Sequence, residues 1–264
     1  MIAPARLAAY ATLLAVEQHP TDLGTALARA RSTLQDERDR ALAGEIATGT
    51  LRWRAAFDQI VTAFAKRPVA RLDLEVLTIL RLSLFQLLYL DRVPAAAVVD
   101  DAVQLAKKAG KKSAAPFVNA LLRRASRERN TLPLPPRPDD GASDDDWIDY
   151  LSTTLSHPRW LVERWLRRYG REAAEGWTSF NNAPAPLTIR ANTLRVSRDE
   201  LSDRLAANGV TTEPCARAAD GLVVRRGNPL STPLAHTGDF FVQDEASQLV
   251  AAFADARPGE RVLH

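Results

Sequence analysis

LEVLTILRLSLFQLLYL, Leu74 to Leu90, is the longest apolar run in the chain, and Glu75, Arg81 and Gln86 interrupt it. A membrane-crossing helix needs about 20 predominantly apolar residues, so the run reads as a buried helix. Within it Leu77, Leu80, Leu84, Leu87 and Leu88 recur every three or four residues, the spacing that gathers side chains on one stripe. Asp73 stands where an N-cap residue would. A helix this apolar has to be enclosed by others, and the flanking sequence supplies them. Upstream, Leu7, Tyr10, Leu13, Leu14 and Val16 carry helical spacing over Arg6 to Gln18, and Thr21-Asp22 can cap a short helix from Leu23. Two more cover Gln35 to Leu51 and Arg52 to Phe64, with Leu42, Ile46, Trp53, Phe57, Ile60 and Val61 inward. Downstream, Pro94 opens Ala95 to Ala109, Gly110 closes it, and Pro116 starts Phe117 to Arg129. Roughly seven helices around one apolar axis make an all-α domain over residues 1–130.

NTLPLPPRPDDGASDDD, Asn130 to Asp146, changes the texture. Prolines and aspartates cannot build a core, and prolines favour an extended chain, so residues 131–146 read as a flexible linker. Beyond it Trp147 to Leu155, Pro158 to Tyr169 and Arg171 to Phe180 still look helical. From Leu187 short β-type runs appear, Leu187 to Arg190, Leu222 to Arg225 and Phe240 to Val242, separated by helical stretches at Arg198 to Asn208 and Asp244 to Ala254. The alternation predicts a small α+β layer over 147–238. Residues 239–264 read as the start of a further domain, with Pro258 to Leu263 as the first half of a buried parallel strand.

The single cysteine, Cys215, leaves no disulfide framework and no thiolate metal cluster, and the first residues show no export signal, so a cytoplasmic protein is the default. The four histidines, His19, His157, His236 and His264, lack metal-ligand spacing. Cys215 has no histidine near it in sequence and reads as a plain thiol. The net charge of +3 is uneven: residues 1–130 hold 20 Lys/Arg against 13 Asp/Glu, leaving −4 for the remainder. A basic half suits phosphate, since each Lys or Arg meeting one releases a condensed counterion. Candidate contacts are Lys107, Lys108, Lys111 and Lys112, then Arg123 and Arg124, with Arg6, Arg52 and Arg54 on the same face or another. Solvated helix ends, where cations complement the dipole, are the competing reading. In the second half Arg190 and Asn192 could share a strand face and reach a phosphate and a base edge, or Arg190 could simply pair with an acid. The layer lacks the aromatic pair on which RNA-recognition motifs stack bases. Gln243, Asp244 and Glu245 look like a turn entering a helix.

The order of short words is more specific than composition. Gly49-Thr-Leu-Arg-Trp, Ile79-Leu-Arg-Leu-Ser-Leu-Phe-Gln-Leu, Pro94-Ala-Ala-Ala-Val-Val-Asp-Asp-Ala and Phe117-Val-Asn-Ala-Leu-Leu-Arg-Arg follow one another as they do in the NusB family of helical RNA-binding domains, which residues 1–130 resemble. The resemblance implies single-stranded or loop RNA, with Arg6 and the Lys107–Lys112 region in contact and Asn119 structural, its amide tying adjacent helices. His157-Pro-Arg-Trp-Leu-Val-Glu-Arg-Trp, Leu187-Thr-Ile-Arg-Ala-Asn-Thr and Gly238-Asp-Phe-Phe-Val-Gln-Asp-Glu-Ala-Ser-Gln extend it: the whole chain resembles the Sun-type ribosomal RNA cytosine-C5 methyltransferases of bacteria.

That resemblance implies a multi-domain protein, with a NusB-like helical domain, a small RNA-recognition-like layer and the first elements of a Rossmann-type methyltransferase domain. It implies small-subunit ribosomal RNA as partner, S-adenosylmethionine as cofactor of the whole protein, and Gln243, Asp244 and Glu245 at the border of the active-site cleft. It also exposes a departure. The family's glycine-rich cofactor turn and its two catalytic cysteines, one of which attacks C6 of the cytosine to activate C5, are not in this sequence, and His264 stands where the family usually has an acidic residue. The expectation is therefore a monomeric, metal-free RNA-binding part that ends before the cofactor site and neither methylates nor binds the cofactor. Two alternatives stay open: a non-catalytic antitermination-type RNA-binding factor, and a scaffold whose helical domain binds protein.

Overall fold

In the computed structural model, which describes residues 2–257 and 259–262, the chain forms two compact units, Met1–Asn182 and Ala183–His264. The first contains the expected helices: α1 (Pro4–Gln18), α2 (Leu23–Arg31), α3 (Glu37–Arg52), α4 (Arg54–Ala65), α5 (Leu74–Tyr89), α6 (Ala95–Lys108) and α7 (Ala115–Arg127). Helix α5 is the axis, buried on all sides from Val76 to Leu87 and packed by α1, α3, α4, α6 and α7. A helix with no solvent face is destabilised by each polar group it leaves unpaired, and here the Ser83 hydroxyl is buried without a partner among the described residues while the larger groups are paired. Arg81 on α5 reaches both carboxylate oxygens of Asp58 at 2.7 and 2.8 Å. Gln86 accepts from Arg6 at 2.7 Å and donates to the Leu82 carbonyl at 2.9 Å. The polar interruptions that argued against a membrane span are thus the helix's cross-links to its neighbours.

Local chemistry sets the ends. The Asp22 carboxylate caps α2 through the Thr25 amide. Asp73 makes no such cap; its carboxylate instead receives Lys111 Nζ at 3.0 Å. Gly49 allows α3 to approach α5 closely, since a Cβ there would stand 2.1 Å from the Phe85 ring.

Residues 131–146 differ from expectation. Leu132 and Leu134 pack against the helical core, Thr154 Oγ1 donates to the Pro135 carbonyl at 2.6 Å, and Arg137 forms a two-pronged bond to Glu175 at 2.8 Å on each arm. The aspartate run is structural as well. Ser143 and Asp146 form a reciprocal capping box for α8 (Asp144–Asp149), and Asp144 holds Arg171. Proline's fixed φ lowers the entropy lost when an extended chain is laid along a ready surface, so a stretch unable to form a core can still be held on one. A π-helical turn, Tyr150–Thr154, leads to α9 (Arg159–Asn182), which is bent at Gly170, φ 78°. Both pack with α8 around Trp147, Leu151, Val162 and Ala174. The boundary between units falls at Asn182/Ala183 rather than at residues 131–146.

The hold on this segment titrates. Bonding to Arg137 draws the Glu175 carboxyl below its ordinary 4.5, against the opposing effect of burial and with help from the Tyr150 hydroxyl. A carboxyl depressed in the folded state stabilises above its unfolded pKa and loses that contribution as pH falls through the folded value. Stability of the first unit should therefore drop on acidification below about 4.5. Chemical denaturation across that range should show a shallower pH dependence for Glu175→Gln; an unchanged slope would remove Glu175 from the account.

The second unit is a four-stranded antiparallel sheet in the order β2-β3-β1-β4, from β1 (Thr188–Ala191), β2 (Thr211–Pro214), β3 (Gly221–Arg226) and β4 (Phe240–Val242). Helix α10 (Arg198–Ala207) covers one face with Leu201 and Leu205 on Ile189, Ala191, Leu222 and Phe240. Helix α11 (Glu245–Phe253) follows β4. The parallel strand expected at Pro258 to Leu263 is not formed at Gly259 to Val262, which carry no strand and are exposed. A parallel strand needs hydrogen-bonded neighbours, and the described residues offer it none; Pro258, Leu263 and His264 lie outside them.

Candidate nucleic-acid interface

Charge pairing sorts the basic residues of the first unit. Arg6 is 7% exposed and bonded to Asp101 and Gln86, so it meets no phosphate: its guanidinium ties α1 to α5 and α6. Arg54 pairs with Glu17 at 2.8 Å. Lys111 pairs with Asp73 at 3.0 Å and Glu75 at 3.5 Å, which raises its pKa, the Asp73 bond first. Arg124 pairs with Glu128 and lies over the Phe64 ring. Lys107, Lys108, Lys112, Arg52 and Arg123 have no acidic partner within salt-bridge distance among the described residues.

Three of these line one groove. Lys107 at the end of α6, Lys112 in the following turn and Arg123 on α7 surround a concavity of about 410 Å³, with Asp100, Pro116 and Asn119 on its walls. Gly110, at φ 77°, turns the chain between the two lysines. Asn119 Oδ1 accepts from Arg123 Nε at 3.0 Å, so the amide orients an arginine on its own helix instead of tying adjacent helices. The arrangement places three cations on one concave wall against a single carboxylate.

In the second unit the Arg190–Asn192 pair does not form. Asn192 follows β1 and donates to the Gly238 carbonyl at 2.8 Å. Arg190 lies over the Phe241 ring at 5.7 Å. Phe241 is a single half-exposed ring on this face. Arg190, Gln243 and Asp244 line a cleft of about 1290 Å³ beside α11. Asp244 caps α11 through the Ser247 amide at 2.8 Å, and that bond lowers its pKa. The Glu245 carboxylate takes the Arg217 and Ala218 amides. Gln243 Oε1 is buried without a partner among the described residues. Burial and then Glu245 push the Cys215 thiol up, which keeps it protonated and a poor nucleophile. No cluster of three metal-ligating side chains occurs among the described residues.

Sequence reasoning placed helices over α9, at Pro158 to Tyr169 and Arg171 to Phe180, but overlooked the aromatic and basic surface they carry. Trp160 is 64% and Tyr169 57% exposed, and Arg168 lies over the Tyr169 ring. The window 159–171 holds five arginines and one glutamate, a density diluted by the acidic remainder of the second half.

A helical bundle built on a buried apolar axis, followed by an antiparallel α+β layer, defines a two-domain architecture. Residues 3–127 match the NusB family, and residues 157–231 match the Methyltr_RsmF/B-like ferredoxin-like domain; the chain joins those two domains in that order. It is 35% identical over 233 residues to the probable ribosomal RNA small subunit methyltransferase B of Bacillus subtilis (88% of this chain, 50% of the relative). It is 34% identical over 259 residues to the ribosomal RNA small subunit methyltransferase B of Pseudomonas putida (98% and 56%). The crystal structure of PH0851 shares the fold, with a TM-score of 0.68 at 19% identity over 98% of this chain and 57% of that one. The chain spans about half the length of the curated relatives it matches.

Proposed function

We propose that this chain is the RNA-recognising part of an S-adenosylmethionine-dependent methyltransferase acting at C5 of a cytosine in small-subunit ribosomal RNA. The observation that carries the RNA reading is the groove of Lys107, Lys112 and Arg123, three cations without an acidic partner among the described residues, on a NusB domain. The names of the relatives support methyl transfer to small-subunit ribosomal RNA, and cytosine C5 and the methyl donor rest on the resemblance of the sequence to the Sun-type enzymes. Arg190, Gln243 and Asp244 border the cleft of the second unit. The described residues do not fit the cofactor: the sheet is wholly antiparallel and has no glycine-rich turn from a parallel strand into a helix, the element that cradles a nucleotide. Methyl transfer is therefore assigned to residues other than these, and this part alone is inactive. Among the described residues no helix is long and apolar enough to cross a membrane; that the protein works as a monomer in the cytoplasm is part of the proposal.

The test is RNA affinity against salt. Each phosphate contact to single-stranded RNA contributes a slope of about 0.7 in log affinity against log salt. Lys107→Ala/Lys112→Ala/Arg123→Ala should lower the slope by about 2 and weaken binding of small-subunit ribosomal RNA by roughly 10- to 50-fold near physiological salt. Lys111→Ala, already neutralised by Asp73, should change both much less. Equal affinity and slope for the triple variant and the unaltered chain would overturn the reading.

A further inference from the structure

We propose that the exposed face of the first half of α9 is a second RNA-contact surface, where an unpaired base stacks on Trp160 while Arg164 and Arg167 hold the flanking phosphates. The proposal rests on the reading that the chain binds RNA and names a separate place where it does so.

Positions 160, 164 and 167 stand four and three residues apart, so their side chains share one helical face. Trp160 is 64% exposed and has no ring partner among the described residues. The surrounding charges divide cleanly. Arg159 is engaged by Asp145, Asp149 and Glu163 at 3.6, 2.5 and 3.1 Å, so Glu163, the one acid on this face, is turned to Arg159 and not to Arg164 or Arg167. Arg164, Arg167 and Arg168 have no acidic partner among the described residues. Arg168 lies over the Tyr169 ring at 5.4 Å, which extends the cationic strip to a second exposed aromatic.

An open indole beside free guanidinium groups matches unpaired RNA on both counts, since bases stack on aromatic faces and arginine meets phosphate or base planes. An anionic lipid surface would also satisfy the arginines, but an interfacial helix needs a broad apolar face. Here positions 160, 163, 164 and 167 are Trp, Glu, Arg and Arg, one ring in a polar strip. A duplex buries its base faces and would gain nothing from Trp160.

The experiment uses the full chain with a 12-nucleotide unpaired RNA and with the duplex of the same sequence, followed by fluorescence anisotropy. Stacking on one ring contributes about 5- to 150-fold in affinity. Trp160→Ala should weaken the unpaired RNA about tenfold, leave its salt slope intact and leave the duplex unaffected; Trp160→Phe should retain most of the binding. Arg164→Ala/Arg167→Ala should instead lower the slope by about 1.4, at about 0.7 per contact. If the Lys107/Lys112/Arg123 variant weakens binding and the Trp160 and Arg164/Arg167 variants do not, this surface is refuted and the general RNA reading survives. If none of them matters, both fail. Capture of phosphatidylglycerol vesicles that is lost in Trp160→Ala, with RNA affinity unchanged, would overturn the proposal in favour of a lipid surface.

Discussion

Replacing Arg6 with alanine will remove about 3–5 kcal/mol from the stability of the helical unit and leave the RNA affinity of the molecules that remain folded unchanged. Arg6 is 7% exposed. Its Nη1 donates to Asp101 and its Nε to Gln86 at 2.7 Å, joining α1, α5 and α6. The substitution leaves the Asp101 carboxylate buried with the Ala3 amide at 3.0 Å as its remaining donor. It also strips the Gln86 side-chain oxygen of its donor on an element with no solvent face. Domains are stable by about 5–15 kcal/mol in total, so a loss of this size is visible as a large shift in the urea midpoint. Lysine will not substitute, because one ammonium cannot reproduce the fork that spans two acceptors. Arg6→Met combined with Asp101→Leu should recover much of the loss, as apolar replacements of buried ion pairs commonly do. Weaker RNA binding by Arg6→Ala at full stability would return Arg6 to the surface and refute the buried pair.

Periodicity was sufficient to read the helical domain over residues 1–130. The Leu74–Leu90 stretch announces a helix that must be enclosed, and its neighbours carry the spacing and punctuation of helices that enclose it. The candidate site was legible as a region but not residue by residue, because a lysine's availability depends on what lies across from it. Arg6 and Asp101 are 95 positions apart, and Lys111 reaches Asp73 at the head of α5; no local pattern records either pairing. Lys107, Lys112 and Arg123 emerge only after the paired cations are set aside. Strand β2, Thr211–Pro214, is an exposed edge, so it lacks the apolar alternation that marks a half-buried strand. The arginines of α9 were masked by averaging charge over a whole half, whereas a sliding window would have found them. Residues 131–146 were misread for a different reason: composition reports whether a segment can pack upon itself, not whether other elements will hold it.

What holds that segment is decided by magnitudes. The Arg137–Glu175 ion pair has its arginine side chain 58% exposed, and exposed pairs are worth about 0–1 kcal/mol. Trp147 is 2% exposed, packed with Leu151, Val162 and Ala174, and faced by Arg137 at 5.3 Å and Arg171 at 6.0 Å. Truncating a buried tryptophan to alanine costs about 3–5 kcal/mol, so Trp147→Ala should destabilise the first unit several times more than Glu175→Gln does at neutral pH. It should also free the chain around Arg137 to proteolysis, since the guanidinium loses the ring against which it lies. Trp147→Phe should be far milder. It keeps most of the apolar volume and deletes an indole N–H that is buried without an acceptor among the described residues, a group whose burial costs about 1–3 kcal/mol. The readouts are the urea midpoint and the rate of cleavage within residues 131–146 under limited protease. If Trp147→Ala leaves cleavage slow, Leu132 and Leu134 against the helical core are enough to fix the segment, and the ring serves only α8 and α9. If cleavage rises with the loss of stability, the proline- and aspartate-rich stretch owes its order to one aromatic side chain that lies just beyond it in sequence.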